Sequence, residues 1–233
     1  MKASADAILR PDQARYLDAL HAQGMRALAA LAGVAPVEGR DPLLARLEAR
    51  AAERGYPISD PEVACLLSII ARLSQPRYIV ELGTNIGYGA IVLARAAGEG
   101  AHVLTVEASP ELVREARGYI EEAGLAARIE VRHGTAIAVL ESVTQPIDLI
   151  YIDCVKEEYP RYLELAAPKL AARGVLVADN ALWMGQVARV TPDDKERERA
   201  EALRAFNLAV VARADLCGVV LPLGDGVALA VKI

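Results

Sequence analysis

Four side chains in the second half of the chain are of types that do chemistry together. Asp153 closes the apolar run I-D-L-I-Y-I, and Lys156 follows it by three residues. Asp179 and Asn180 close the next such run, V-L-V-A. Two carboxylates and an amide oxygen at the carboxyl ends of neighbouring strands form a donor set for a hard divalent cation such as Mg²⁺, which takes oxygen ligands and keeps positions open. A cation on a hydroxyl lowers the pKa of that hydroxyl, and a lysine beside it can accept the proton. Taken singly, each residue also suits a plainer role: Asp153 a strand-end cap, Asp179-Asn180 a turn, Lys156 a solvated charge. D-x-x-K and D-N at successive strand ends together point to a metal-assisted site.

A second constellation lies upstream. Residues 81–90 read E-L-G-T-N-I-G-Y-G-A, with Gly83, Gly87 and Gly89 after a strand-like run and before a helical one. Glycines there let backbone approach a ligand. The spacing E-x-G-x-x-x-G-x-G differs from G-x-G-x-x-G, which argues against a pyrophosphate cradle and a NAD-dependent dehydrogenase. The next run, H-V-L-T-V-E, ends in Glu107, an acid placed to accept hydrogen bonds from both hydroxyls of a ribose. Glycine loop and acid together predict a nucleoside-bearing ligand. The plainer alternative is a tight turn followed by a solvated glutamate.

The elements that must position these residues follow from periodicity. Short β-rich runs at 78–82, 103–106, 129–131, 147–152 and 175–178 alternate with helical stretches at about 88–97, 110–123, 136–143 and 158–171. Such alternation predicts a parallel sheet covered on both faces. A helix over T-P-D-D-K-E-R-E-R-A-E-A-L-R-A-F-N-L-A-V-V-A-R follows, its charged start read as a solvated face. Two apolar runs joined by Gly224-Asp225-Gly226 then predict an antiparallel hairpin. The fold class is therefore α/β: a Rossmann-like, seven-stranded, mostly parallel sheet with a reversed last strand and extra N-terminal helices. Those helices are expected at 12–32, at 42–54 after Asp41-Pro42, and from Pro61 to about residue 73. The domain division predicted is a helical appendage over 1–58 and a catalytic domain over 59–233.

The 233 residues are 54% hydrophobic and carry 26 Lys+Arg against 31 Asp+Glu, a net charge of −5. That balance argues against non-specific nucleic-acid binding, which rests on cationic contacts to phosphate. Three scattered cysteines form no disulfide or zinc pattern, and three lone histidines form no metal pair. Cys154 reads as a small buried filler and His133 as a strand-end residue. No apolar leader and no membrane-length run is seen, so a cytoplasmic location is expected and no membrane partner.

The motifs E-L-G-T-N-I-G-Y-G-A, V-E-A-S-P-E-L-V-R-E-A-R, D-L-I-Y-I-D-C-V-K-E-E-Y and V-L-V-A-D-N-A-L-W-M-G resemble those of class I S-adenosylmethionine-dependent methyltransferases. Within these the chain is similar to the cation-dependent O-methyltransferases of the catechol and caffeoyl-CoA type, over about residues 41–233. The resemblance implies S-adenosylmethionine as cofactor, with its methionyl end over the glycine loop (Glu81, Gly83, Thr84, Gly87, Gly89) and near Ser59. It implies ribose at Glu107 and Ala108, adenine near Gly134, Thr135 and Ala136, and a further contact at Asp153. It also implies metal ligands at Asp153, Asp179 and Asn180, catalysis by Lys156, and a homodimer. Lys156, Asn180, Trp183 and Met184 are the expected acceptor contacts. The chain departs from the family pattern at Gly89, where relatives often carry Ser, at Thr135, where many carry Asp, and at Val155, which replaces a common acid.

The expected activity is methyl transfer to a small aromatic with adjacent oxygens. Two alternatives stand beside it. Residues 41–90 also resemble bacterial relatives that methylate a hydroxylated uridine in tRNA, and the chain could be a non-catalytic cofactor-binding protein.

Overall fold

A computed structural model describes residues 41–233. The expected helix at 12–32, and most of the expected appendage, lie outside the described residues. The first described helix, α1 (Pro42–Arg54), begins where Asp41 accepts hydrogen bonds from the backbone N–H of Leu43 and Leu44 at 2.9 and 3.1 Å. It ends at Gly55, whose φ of 68° is left-handed. Helix α2 (Pro61–Ser74) also has an aspartate, Asp60, at its N-cap and proline at the first helical position, but the Asp60 side chain makes no capping hydrogen bond.

Strands and helices then alternate: β1 (Tyr78–Leu82), α3 (Tyr88–Ala97), β2 (His102–Glu107), α4 (Pro110–Glu122), β3 (Ile129–His133), α5 (Ala136–Ser142), β4 (Ile147–Ile152), α6 (Tyr159–Ala166) and β5 (Leu170–Ala178). Helix α7 (Arg197–Ala212) and the hairpin of β6 (Leu216–Leu221) and β7 (Val227–Lys232) complete the chain. The seven strands lie in the order β3-β2-β1-β4-β5-β7-β6. β7 is antiparallel to both β5 and β6 and sits between them, and the remaining pairs are parallel. The seven-stranded sheet with its reversed last strand is the fold expected.

Three boundaries differ most from expectation. The helix expected over 158–171 stops at Ala166, because Pro168 has no N–H for a further turn; a 3-10 turn at Ala167–Lys169 leads into β5. β5 therefore starts at Leu170, five residues before the expected 175. The last helix begins only at Arg197, after a 3-10 turn at Asp194–Glu196.

Period-2 alternation divides the core in two. Ile79, Val103, Leu149, Tyr151 and Val177 face a cluster with α1, α2, α3 and α4. Val80, Leu104, Ile150, Ile152 and Ala178 face a second cluster with α5, α6 and α7. The residues of α1 that meet the core, Leu43, Leu44, Leu47 and Ala51, share the first cluster with the sheet. Both faces being covered, the central strands are buried almost throughout, and polar groups come to the surface where the strands end. Among the described residues no helix is long and apolar enough to cross a membrane.

Candidate active site

The carboxyl ends of β1, β2, β4 and β5 make one rim. After β1 the chain turns sharply, with the Gly83 and Thr84 N–H groups donating to the Val106 carbonyl at 3.1 and 3.0 Å. Gly83 has a φ of 101°, and a Cβ there would overlap the carbonyl oxygen of Asp153. Glycine at 83 thus lets the loop lie directly against the end of β4. Gly87, at φ 90°, caps the start of α3 and packs on Ala116 of α4. At Gly89 the space a side chain would need is taken by the Glu81 carboxylate.

Glu81 is buried in the middle of the sheet. Thr105 donates to its Oε2 at 2.5 Å, and the Thr84 hydroxyl lies 2.6 Å from that of Thr105. Burial pushes the Glu81 carboxyl up to about 8, against the Thr105 bond, with Asp153 and Glu107 adding repulsion. Parallel register sets Thr105 and Tyr151 on either side of Glu81, a polar row beneath α3. Glu107, at the end of β2, is held differently. Its two oxygens accept from the backbone N–H of Asn85 at 2.9 Å and of Ser109 at 2.9 Å. Asn85 itself has a φ of 47°, a conformation asparagine tolerates, and its side-chain oxygen is buried without a hydrogen-bond partner.

The other half of the rim is built from charge. Ile152 is opposite Ala178, so the next residues, Asp153 and Asp179, leave their strands side by side. Lys156, only 8% exposed, donates to Asp153 Oδ1 at 2.7 Å and to the Tyr159 hydroxyl at 3.0 Å. Tyr159 is fixed by Phe206, ring centroids 5.2 Å apart, and its hydroxyl lies 3.1 Å from the Asp179 carbonyl. Asp179 accepts from the Asn180 N–H at 2.6 Å and from the Tyr151 hydroxyl at 3.1 Å. Burial, then the neighbouring Asp153, raises the Asp179 carboxyl to about 7, while the Asn180 N–H, Lys156 and Tyr151 oppose the shift. Among the described residues no group of three or more His, Cys, Asp or Glu side chains is placed to hold a metal. The oxygen donors at this rim are two carboxylates and the Asn180 amide.

One cavity of about 750 Å³ joins the two halves. It brings together Ser59, Glu81, Gly83, Thr84, Gly89, Glu107, Ala108, Thr135 and Ala136 with Asp153, Lys156, Asp179, Asn180 and Trp183. Gly87 and Met184 lie outside that lining; Met184 is 65% exposed, its N–H bonded to Asp225. Trp183 donates to Glu196 at 2.8 Å and stacks under Arg199, whose guanidinium is 5.5 Å from the ring centroid. Val155, 48% exposed, adds an apolar edge. Thr135 serves as N-cap of α5, accepting from the Ala138 N–H at 3.3 Å. His133 bonds the Ala108 carbonyl at 3.0 Å, tying the ends of β2 and β3.

Three contributors were not singled out in the sequence. Tyr151 reads there as one more apolar residue of a buried strand. Tyr159 reads as a core position of α6. Asn85 lies inside the glycine motif, where asparagine, a residue type that tolerates the left-handed backbone it adopts here, was the available signal.

Comparison with known proteins accords with this arrangement. A family model described as O-methyltransferase matches residues 41–233. A catechol O-methyltransferase of Niastella koreensis is 32% identical over 192 residues, covering 77% of this chain and 85% of its own. The crystal structure of an O-methyltransferase from Bacillus cereus in complex with SAH superposes with a TM-score of 0.75 at 30% identity, covering 83% of this chain and 92% of that one. The O-methyltransferase TomG from Streptomyces achromogenes, in complex with SAM, gives a TM-score of 0.74 at 28% identity, covering 83% and 90%. With its reversed seventh strand, its glycine loop against β4 and an acid closing β2, the chain belongs to the O-methyltransferase family, within the class I S-adenosylmethionine-dependent enzymes.

Proposed function

We propose that the protein transfers a methyl group from S-adenosylmethionine to a hydroxyl of a small catechol-like acceptor, with a divalent cation, Mg²⁺ or a close analogue, held by Asp153, Asp179 and Asn180. The observation that carries this reading is the pairing of two neighbouring carboxylates with a buried lysine in the cavity that also contains the glycine loop and Glu107. The donor chemistry fits a hard cation. Two like charges sit side by side, one of them buried and pushed up to about 7, and an ion of charge +2 relieves that repulsion. When bound, the cation supplies the electrostatic field that makes an acceptor hydroxyl acidic.

The chain's own residues do the rest. As the neutral amine, Lys156 receives the acceptor's proton on the Nζ lone pair and becomes the ammonium, while its hydrogen bonds to Asp153 and Tyr159 keep that nitrogen in place. Trp183 and Val155 offer a flat apolar wall for an aromatic ring. At the other end Glu107 accepts from the ribose hydroxyls, and Asn85 has a spare acceptor at its buried oxygen. Alignment of acceptor oxygen, methyl and sulfur is then the main requirement for displacement.

The test is an acceptor screen. The protein is incubated with S-adenosylmethionine and Mg²⁺, with catechols and with tRNA in parallel, and products are weighed by mass spectrometry. A monomethylated catechol is the expected product. Methylation of tRNA alone would replace the acceptor class, and no methylation of either would overturn the reading.

A further inference from the structure

Tyr151 has a hydroxyl in a place where a strand residue facing the core needs none. Its ring is 1% exposed and lies beneath α3, 3.5 Å from where a Cβ on Gly89 would stand. A buried hydroxyl is costly unless bonded, and this one is bonded twice. It donates to Asp179 Oδ2 at 3.1 Å and so accepts from Ser59 Oγ at 2.8 Å. The Asn180 N–H bonds the other oxygen of Asp179, so the Tyr151 hydroxyl is one of two groups that set the orientation of that carboxylate. Ser59 belongs to the segment before α2 and lines the cavity, where the family resemblance puts it near the methionyl end of the cofactor. One phenol therefore links a residue of the cofactor end to a residue of the carboxylate end.

Resting on the function proposed above, we infer that Tyr151 is a positioning residue that couples the two ends of the cavity. A ligand that orders Ser59 orders the Tyr151 hydroxyl and, through it, Asp179; the second ligand then meets a carboxylate already oriented. Such coupling is reciprocal: each ligand tightens the other by the same factor. A tyrosine that only filled space would keep the ring's role as phenylalanine and show no such linkage.

The experiment measures Mn²⁺ affinity by electron paramagnetic resonance, with and without saturating S-adenosylhomocysteine, in wild type, Tyr151→Phe and Ser59→Ala. In wild type the nucleoside tightens Mn²⁺ by about 5-fold or more, within the usual range of such couplings. In Tyr151→Phe the factor falls below about 2, and Ser59→Ala, which cuts the same bridge from its other end, gives the same loss. Ser59→Ala decides the matter alone should the phenylalanine variant not fold. A wild-type protein that binds both ligands without coupling, or variants that retain the factor, overturns the role of Tyr151. Failure of wild type to bind Mn²⁺ at all removes the metal site proposed above, and the coupling with it.

Discussion

The two halves of the rim hold their acids by different means. Glu107 is half-buried and is gripped by two backbone N–H groups, one from the glycine loop and one from the start of α4. Asp179 is buried beside a second carboxylate and is supported by a phenol, one N–H and a nearby lysine. Backbone donors are fixed by the fold and place an acid without altering its neighbours. Side-chain charges that lean on one another, as Lys156 and Asp153 do, feel each removal. The first arrangement suits a polar ligand held in one pose, and the second suits chemistry, where charge must move.

If that contrast is right, the largest loss follows from the charged half. Lys156→Ala is expected to lower kcat by about 10²–10⁴-fold, the usual range for a general base, while calorimetry shows S-adenosylhomocysteine affinity nearly unchanged. Equal loss of kcat and cofactor affinity would erase the division between the halves.

Glu81 lies between them, and its effect is on stability. Its folded pKa of about 8 lies above the ordinary 4.5, so burial favours the protonated form. The contribution is fully present below about pH 4.5 and is lost as pH rises through about 8, a span of roughly 3–5 kcal/mol. Glu81→Gln, which stays neutral, should flatten the fall in unfolding free energy between those limits, measured by urea denaturation at several pH values. An unchanged slope would mean that Glu81 is ionised in the folded protein.

The smallest effect is expected at the backbone-held acid. Glu107→Gln should weaken S-adenosylhomocysteine by about 10-fold through loss of a charge-assisted hydrogen bond, and leave Mn²⁺ affinity unchanged. A matching loss of Mn²⁺ affinity measured without the nucleoside would show that Glu107 also holds the carboxylate end directly.

The sequence was most readable where chemistry coincides with a strand end. Asp153, Asp179 and Glu107 stand out because each closes an apolar run, and parallel strands bring such ends to one rim. The seven strands followed from alternation and from the Gly224-Asp225-Gly226 turn. Less readable was anything decided by packing. Tyr151 looks like its apolar neighbours in I-D-L-I-Y-I-D, and only the sheet register reveals that its hydroxyl meets Asp179. The early start of β5 depended on Pro168 ending a helix within an Ala- and Leu-rich stretch whose apolar pattern continues past it. Gly89 read as a missing side chain at a ligand; it lines the cavity, and only the structure shows that a side chain there would also meet Glu81.

The central claim, that the carboxylate end works through a divalent cation, is tested most directly by the metal dependence of catechol methylation. Treatment with EDTA should abolish product formation, and excess Mg²⁺ should restore it, while S-adenosylhomocysteine still binds in EDTA, about 5-fold more weakly as reciprocal coupling requires. Methyl transfer that proceeds at full rate in EDTA would contradict the account.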